Sequence, residues 1–131
     1  MKGIVSGILL TLLLLSALTL AFSIQRKIVV PDDYSTIQEA INAASAGDVI
    51  HVKAGTYFEN VVVNKSLSLI GEDKETTVID GGQAGTVIRV IASNVTVTGF
   101  KIQNSGKFDV GISIEESSHV NVTDNIAINN G

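Results

Sequence analysis

Ser93-Asn94-Val95-Thr96-Val97-Thr98 recurs as Ser118-His119-Val120-Asn121-Val122-Thr123, with the serine, both valines and the last threonine in register. Around this pair, Ile88 and Val90 recur as Ile112 and Ile114. Phe100, Ile102 and Asn104 recur as Ile126, Ile128 and Asn130, so the period is about 25 residues. Short alternating runs at such a period read as a solenoid. One repeat cannot bury its apolar face alone, but coils stacked about 4.8 Å apart cover one another's. Lys65 to Gly71 matches Ser93 to Gly99 at an offset of about 28, so the repeat extends backward with longer, irregular turns.

The alternation assigns faces. Val95, Val97, Phe100, Ile102, Ile112, Ile114, Val120, Val122, Ile126 and Ile128 are expected to point inward, and Arg89, Thr96, Lys101, Ser113, Asn121 and Ala127 outward. Asn104 and Asn130 fall at matching turn positions, where asparagine tolerates left-handed backbone. On these faces an aspartate at Ile114 would be destabilising and one at Ser113 nearly silent.

Upstream, Ile28-Val29-Val30 reads as an opening strand closed by the turn Pro31-Asp32-Asp33. Ser35-Thr36-Ile37-Gln38 has the form of a capping box, and Ile37, Ala40, Ile41 and Ala44 then make one apolar stripe, with Gly47 placed to end the helix. A small-faced helix suits lying over the open end of a coil, where strand edges would otherwise be bare. The fold class is therefore all-β, a single-stranded right-handed parallel β-helix with one N-terminal capping helix.

Residues 1–23 read as a signal peptide: Lys2 gives a positive start, Ile4 to Ala21 is apolar apart from Ser, Thr and Gly, and Ala21-Phe22-Ser23 has the small-x-small form of a cleavage site. The alternative is an uncleaved membrane anchor, the one circumstance in which a membrane is a partner. Residues 24–131 read as the N-terminal portion of a β-helix domain. Asn129-Asn130-Gly131 stops in mid-turn, which reads as a truncated C-terminal end open to edge-to-edge self-association. The 131-residue chain has no cysteine, so stability rests on stacked rungs and hydrogen bonds rather than disulfides. A net charge of −4, with scattered acids and no basic patch, argues against nucleic acid as a partner.

No Ser-His-Asp set, P-loop or metal-ligand spacing is present, and His51 and His119 are each isolated. No catalytic residue, cofactor or metal ligand is assigned. Glu115-Glu116 reads as a solvated turn and Asp80, before Gly81-Gly82, as a turn residue. Arg89, Lys101, Ser113 and Glu115 are weak outer-face binding candidates. Three sequons, at Asn64, Asn94 and Asn121, are candidate glycosylation sites, two of them generated by the repeat itself.

The order Tyr34-Ser35-Thr36-Ile37-Gln38-Glu39-Ala40-Ile41, Gly47-Asp48-Val49-Ile50-His51-Val52, Gly55-Thr56-Tyr57-Phe58-Glu59-Asn60-Val61, Ile70-Gly71-Glu72 and Thr77-Val78-Ile79-Asp80-Gly81 resembles the start of the pectin-lyase-like right-handed β-helix superfamily, and of pectin methylesterases in particular. Ser93 to Gly106 and Gly111 to Gly131 look like NosD-like exported repeat proteins. The esterase resemblance implies an oxyanion-stabilising Gln on the coil of Asp109 to Ile114. Val110 stands there and offers no donor. It also implies that the aspartate pair and arginine of that family lie on coils beyond residue 131. The copper association of the NosD-like proteins finds no ligands here, since Met1 is the only methionine.

Two functions remain open. The first is an exported, extracellular or cell-surface β-helix, carbohydrate-interacting or structural, with polysaccharide or cell-envelope components as partners. The alternative is the N-terminal fragment of a pectinesterase- or lyase-like enzyme whose active site lies beyond residue 131.

Overall fold

A computed structural model describes residues 24–131, and the leader assigned to residues 1–23 lies outside the described residues. Twelve short strands and one helix follow in the order β1 Lys27–Val30, α1 Ile37–Ala43, β2 Val49–Val52, β3 Gly55–Phe58, β4 Val61–Val63, β5 Ser68–Gly71, β6 Thr77–Asp80, β7 Ile88–Val90, β8 Val95–Thr98, β9 Lys101–Gln103, β10 Ile112–Ile114, β11 Val120–Thr123 and β12 Ile126–Ile128. They form three parallel sheets: sheet A (β1-β2-β5-β8-β11), sheet B (β3-β6-β9-β12) and sheet C (β4-β7-β10). Successive coils visit C, A and B in turn, which is the β-solenoid that the repeat predicts.

Register follows the repeat. Val95 and Val97 pair with Val120 and Val122, Ile88 and Val90 with Ile112 and Ile114, and Ser68 with Thr96 at the longer offset of the irregular coil. Ile50, Leu69 and Val97 stack in one column of sheet A, each fully buried. Phe100 fills the corner between sheets A and B. At that corner coils approach so closely that a Cβ on Gly71 would lie 2.2 Å from the Gly99 carbonyl oxygen, and Gly99 itself has φ +83°. Only glycine fits there.

Helix α1 closes the N-terminal end as expected, with Ile37, Ala40, Ile41 and Ala44 buried. Its caps differ from the sequence reading. The N-cap is Thr36, whose hydroxyl accepts from the Glu39 N–H at 3.1 Å, because Ser35 instead donates to the Glu39 carboxylate. Gly47 does not end the helix; the chain becomes extended at Ala44, and Gly47 turns three residues later with φ +89°.

At seven residues the helix is too short to persist alone, and the second coil holds both its ends. Glu59 accepts from the N–H groups of Ile37 and Gln38, at 2.9 and 3.0 Å. Lys65 Nζ donates to the carbonyls of Ile41, Asn42 and Ala44. Each charge opposes the helix dipole correctly. Two strand edges are closed by side chains: Gln38 bonds both the N–H and the C=O of Val62 on β4, and Asp33 does the same for Val29 on β1 with its carboxylate and its own N–H.

The last coil corrects several face assignments. Ala127, not Ile128, pairs with Ile102, whereas Ile126 and Ile128 sit over Lys101 and Gln103 on the outer side of sheet B. The repeat in this sheet is 25 residues, and the expected 26 slipped the strand by one, which reverses its faces. The left-handed partner of Asn104 is accordingly Asn129 (φ 59° and 53°). Asn130 instead reaches down a coil, accepting from the Ser105 N–H and donating to the Ile102 carbonyl. Ile114 and Val122 share the inner faces of Val90 and Val97, yet Ile114 is 49% exposed, because no further coil covers them in residues 24–131.

The inner face is therefore tested at Val90, fully buried, rather than at Ile114. Val90→Asp should cost several kcal/mol, since its carboxylate would be buried in the apolar core, while Arg89→Ser one position away should leave the melting temperature within about a degree or two. Thermal unfolding by circular dichroism checks this, and similar melting points for the two variants would mean the faces are misassigned.

Candidate functional site

On the outer face of sheet C the ladder sets Ser113 directly over Arg89. Glu115, one residue past β10, folds back over both. Its carboxylate accepts from Arg89 Nε at 2.8 Å and Nη2 at 2.6 Å, and from the Ser113 hydroxyl at 3.2 Å. The bidentate Arg89 bond, then Ser113, holds the Glu115 carboxyl below its ordinary range, while Arg89 is raised. With Ile91 and Glu116, Arg89 and Glu115 line an open cleft of about 400 Å³. It offers the guanidinium N–H groups of Arg89 that Glu115 leaves unused, carboxylate acceptors and the exposed aliphatic side chain of Ile91.

Three of the four binding candidates thus meet at one place. Lys101 does not join them: it lies on the outer face of sheet B, 3.7 Å from Glu75. The sequon asparagines Asn64, Asn94 and Asn121 are exposed. Asn94 sits in a left-handed turn, and Asn121 lies within β11 beside Thr96. Val110 is exposed, and its carbonyl accepts from the Val87 N–H of the coil before.

Two buried carboxylates would be the first choices for acid-base work, and both are fully bonded. Asp80 accepts from the Gly82 N–H at 2.8 Å, from Gln103 at 2.9 Å and from Asn104 at 2.8 Å. Burial pushes its carboxyl up, but the Gln103, Gly82 and Asn104 bonds outweigh this and hold it below its ordinary value. Asp48, 1% exposed, was not singled out by sequence reasoning. It accepts from the Ser45 N–H at 2.8 Å, from the Arg26 N–H at 3.0 Å and from the Arg26 guanidinium at 3.2 and 3.0 Å. The Ser45 bond lowers its pKa most, against burial, with Arg26 adding to the effect. Both stay ionised at neutral pH and serve the turns, with no proton to give. Among the described residues no group of three or more His, Asp or Glu is arranged to hold a metal ion, and no helix is long and apolar enough to cross a membrane.

No family model matches the chain. An Arabidopsis thaliana protein named probable pectinesterase/pectinesterase inhibitor 6 is 34% identical over 97 residues, covering 65% of this chain and 16% of that protein. Among solved structures, a pectin methylesterase variant in complex with a hexasaccharide superposes with a TM-score of 0.60 at 20% identity, over 76% of this chain and 43% of the other. Pectin methylesterase PemA from Erwinia chrysanthemi gives 0.58 at 18% identity, over 82% and 46%. The chain therefore shares the parallel β-helix fold of these solved pectin methylesterases, and it spans about a sixth of the curated relative and less than half of the solved ones.

The depressed Asp48 and Asp80 carboxyls stabilise the folded chain fully above the ordinary aspartate value of 3.8, and that contribution is lost as pH falls through their lower folded values. Asp48→Asn should cost about 2 kcal/mol at neutral pH, and the loss should shrink toward zero in strong acid. Melting temperatures of both proteins from neutral pH down to about pH 2 check this; a pH-independent difference would contradict it.

Proposed function

We propose that this chain is the polysaccharide-holding opening section of an exported, pectinesterase-like β-helix, with the outer face of sheet C as the contact surface. The observation that carries the reading is the Arg89-Ser113-Glu115 cluster, fixed in ladder register beside an open cleft. A polysaccharide presents hydroxyls and carboxyl or ester oxygens at regular intervals, and a rigid row of donors and acceptors recognises such a ligand without paying for loop ordering. The likeness to esterases, one solved with a bound hexasaccharide, supports carbohydrate over other ligands.

The ester-cleaving chemistry belongs, on this reading, to coils outside residues 24–131, because the buried carboxylates described above are engaged in turns. Export rests on the leader read at residues 1–23 and would place the protein outside the cell or at its surface. The NosD-like resemblance of the later repeats adds no separate activity.

Affinity electrophoresis in pectin-containing gels tests the proposal. The chain should be retarded by pectin, and Arg89→Ala should weaken retention by about tenfold, or about 1.4 kcal/mol. Its melting temperature should barely change, because an exposed pair adds little stability. Equal retardation by an uncharged glucan, or undiminished retention of Arg89→Ala, would refute this use of the face.

A further inference from the structure

Each sheet has an edge strand at its N-terminal end, and two of the three are closed by side chains, Val29 on β1 by Asp33 and Val62 on β4 by Gln38. The third, β3 at the end of sheet B, has no such plug among the described residues. Its Gly55 N–H donates to the Thr76 carbonyl, and the Glu59 N–H just beyond it donates to the Asp80 carbonyl, so by alternation Tyr57 also faces β6. The N–H and C=O groups of Thr56 and Phe58 therefore point away from the sheet. Residues 31–36, which connect β1 to α1, make no hydrogen bond to β3.

The surroundings of this edge are apolar and acidic. Phe58 is 75% exposed, and Tyr57 beside it is half-buried. Burial first, and then the carboxylates of Glu59, Glu72 and Asp32, raise the Tyr57 hydroxyl above its ordinary value, with Lys53 opposing them. Each of the three carboxylates has a partner: Asp32 lies 2.6 Å from Lys53 Nζ, Glu72 accepts from the Ala54 N–H, and Glu59 caps α1. Three carboxylates against one ammonium still leave the edge negative. A second copy of the chain that paired β3 with β3 would bring the same charges together, which disfavours it.

We propose that β3 is a strand-addition site for an extended segment of a partner protein in which basic and apolar residues alternate. The backbone of that segment bonds the free N–H and C=O groups of Thr56 and Phe58 and lengthens sheet B by one strand. Its apolar side chains lie beside Phe58 and remove the ring from water, while its lysines or arginines reach the carboxylates around Tyr57. The charge term is screened by salt, so the affinity falls as ionic strength rises. The edge belongs to sheet B and the Arg89 cluster to sheet C, so the two surfaces are separate.

Amide hydrogen exchange followed by NMR on the full chain tests the site, with a blocked hexapeptide alternating lysine and valine as the probe. The Thr56 and Phe58 amides should exchange fast in the free chain and slow saturably as the peptide is added. The Val29 and Val62 amides, already bonded to side chains, should be unaffected. Glutamate in place of every lysine of the peptide should weaken binding about tenfold or more, and N-methylation of its backbone amides should abolish it. Phe58→Ala should weaken binding about tenfold with the melting temperature within about a degree or two, because the ring is exposed in the free chain. Slow exchange at Thr56 and Phe58 in the dilute free chain, no response to the lysine peptide, equal binding of the glutamate or N-methylated peptide, or undiminished binding by Phe58→Ala would each overturn the proposal. So would protection that grows with the concentration of the chain alone, which would give the edge to a second copy.

Discussion

Everything in this molecule depends on parallel strands keeping register from coil to coil. Register places Ile50 over Leu69 and Leu69 over Val97, so a chain with no disulfide obtains a continuous buried column from short strands. It also forces the corners. Where two coils nearly touch, between Gly71 and Gly99, no side chain fits, and Phe100 then fills the inside of the bend. The same constraint orders the outer face, because outward residues inherit the spacing of inward ones and Ser113 stands over Arg89 for the reason that Ile114 stands over Val90.

A stack of parallel strands has an end problem, and here the second coil solves it. Glu59 and Lys65 seize opposite ends of a seven-residue helix that could not hold itself, and that helix returns Gln38 to close the edge of β4. The loop leading to the helix is tied at its start by Asp32 to Lys53, and its Asp33 closes the edge of β1. Among the described residues no buried side-chain nitrogen or oxygen lacks a partner. The cap and the first full coil thus form one cooperative unit, and loss of either Glu59 or Lys65 would release both the helix and the edge it covers.

The repeat between residues 88 and 123 made the solenoid legible, since alternation and period are properties of the chain alone. The apolar stripe of α1 was equally plain. What escaped were matters of one residue or of distant partners. A 25-residue step and a 26-residue step differ by one position, yet that position decides whether Ala127 or Ile128 faces the core, and both choices preserve an alternating pattern. Thr36 rather than Ser35 is the N-cap, and the Ile37 and Gln38 donors are met by Glu59, more than twenty residues on. The Arg26–Asp48 pair carries no local signal at all. Arg89, Ser113 and Glu115 were picked singly as outer-face residues; that they share one cleft, and that Lys101 does not, follows from which sheet each strand joins.

The functional reading inherits the same dependence, since the cleft at Arg89 and Glu115 exists only if neighbouring coils stack at the stated register. The cysteine-free background allows a direct measurement. Thr96 and Asn121 are ladder partners on the outer face, at a spacing between adjacent strands of about 4.8 Å that a disulfide spans readily. The double variant Thr96→Cys, Asn121→Cys should oxidise rapidly to an intramolecular disulfide while folded. Thr96→Cys with Thr123→Cys, offset by two residues along the strand, should stay reduced. Cross-linking of the offset pair in preference to the in-register pair would contradict the account.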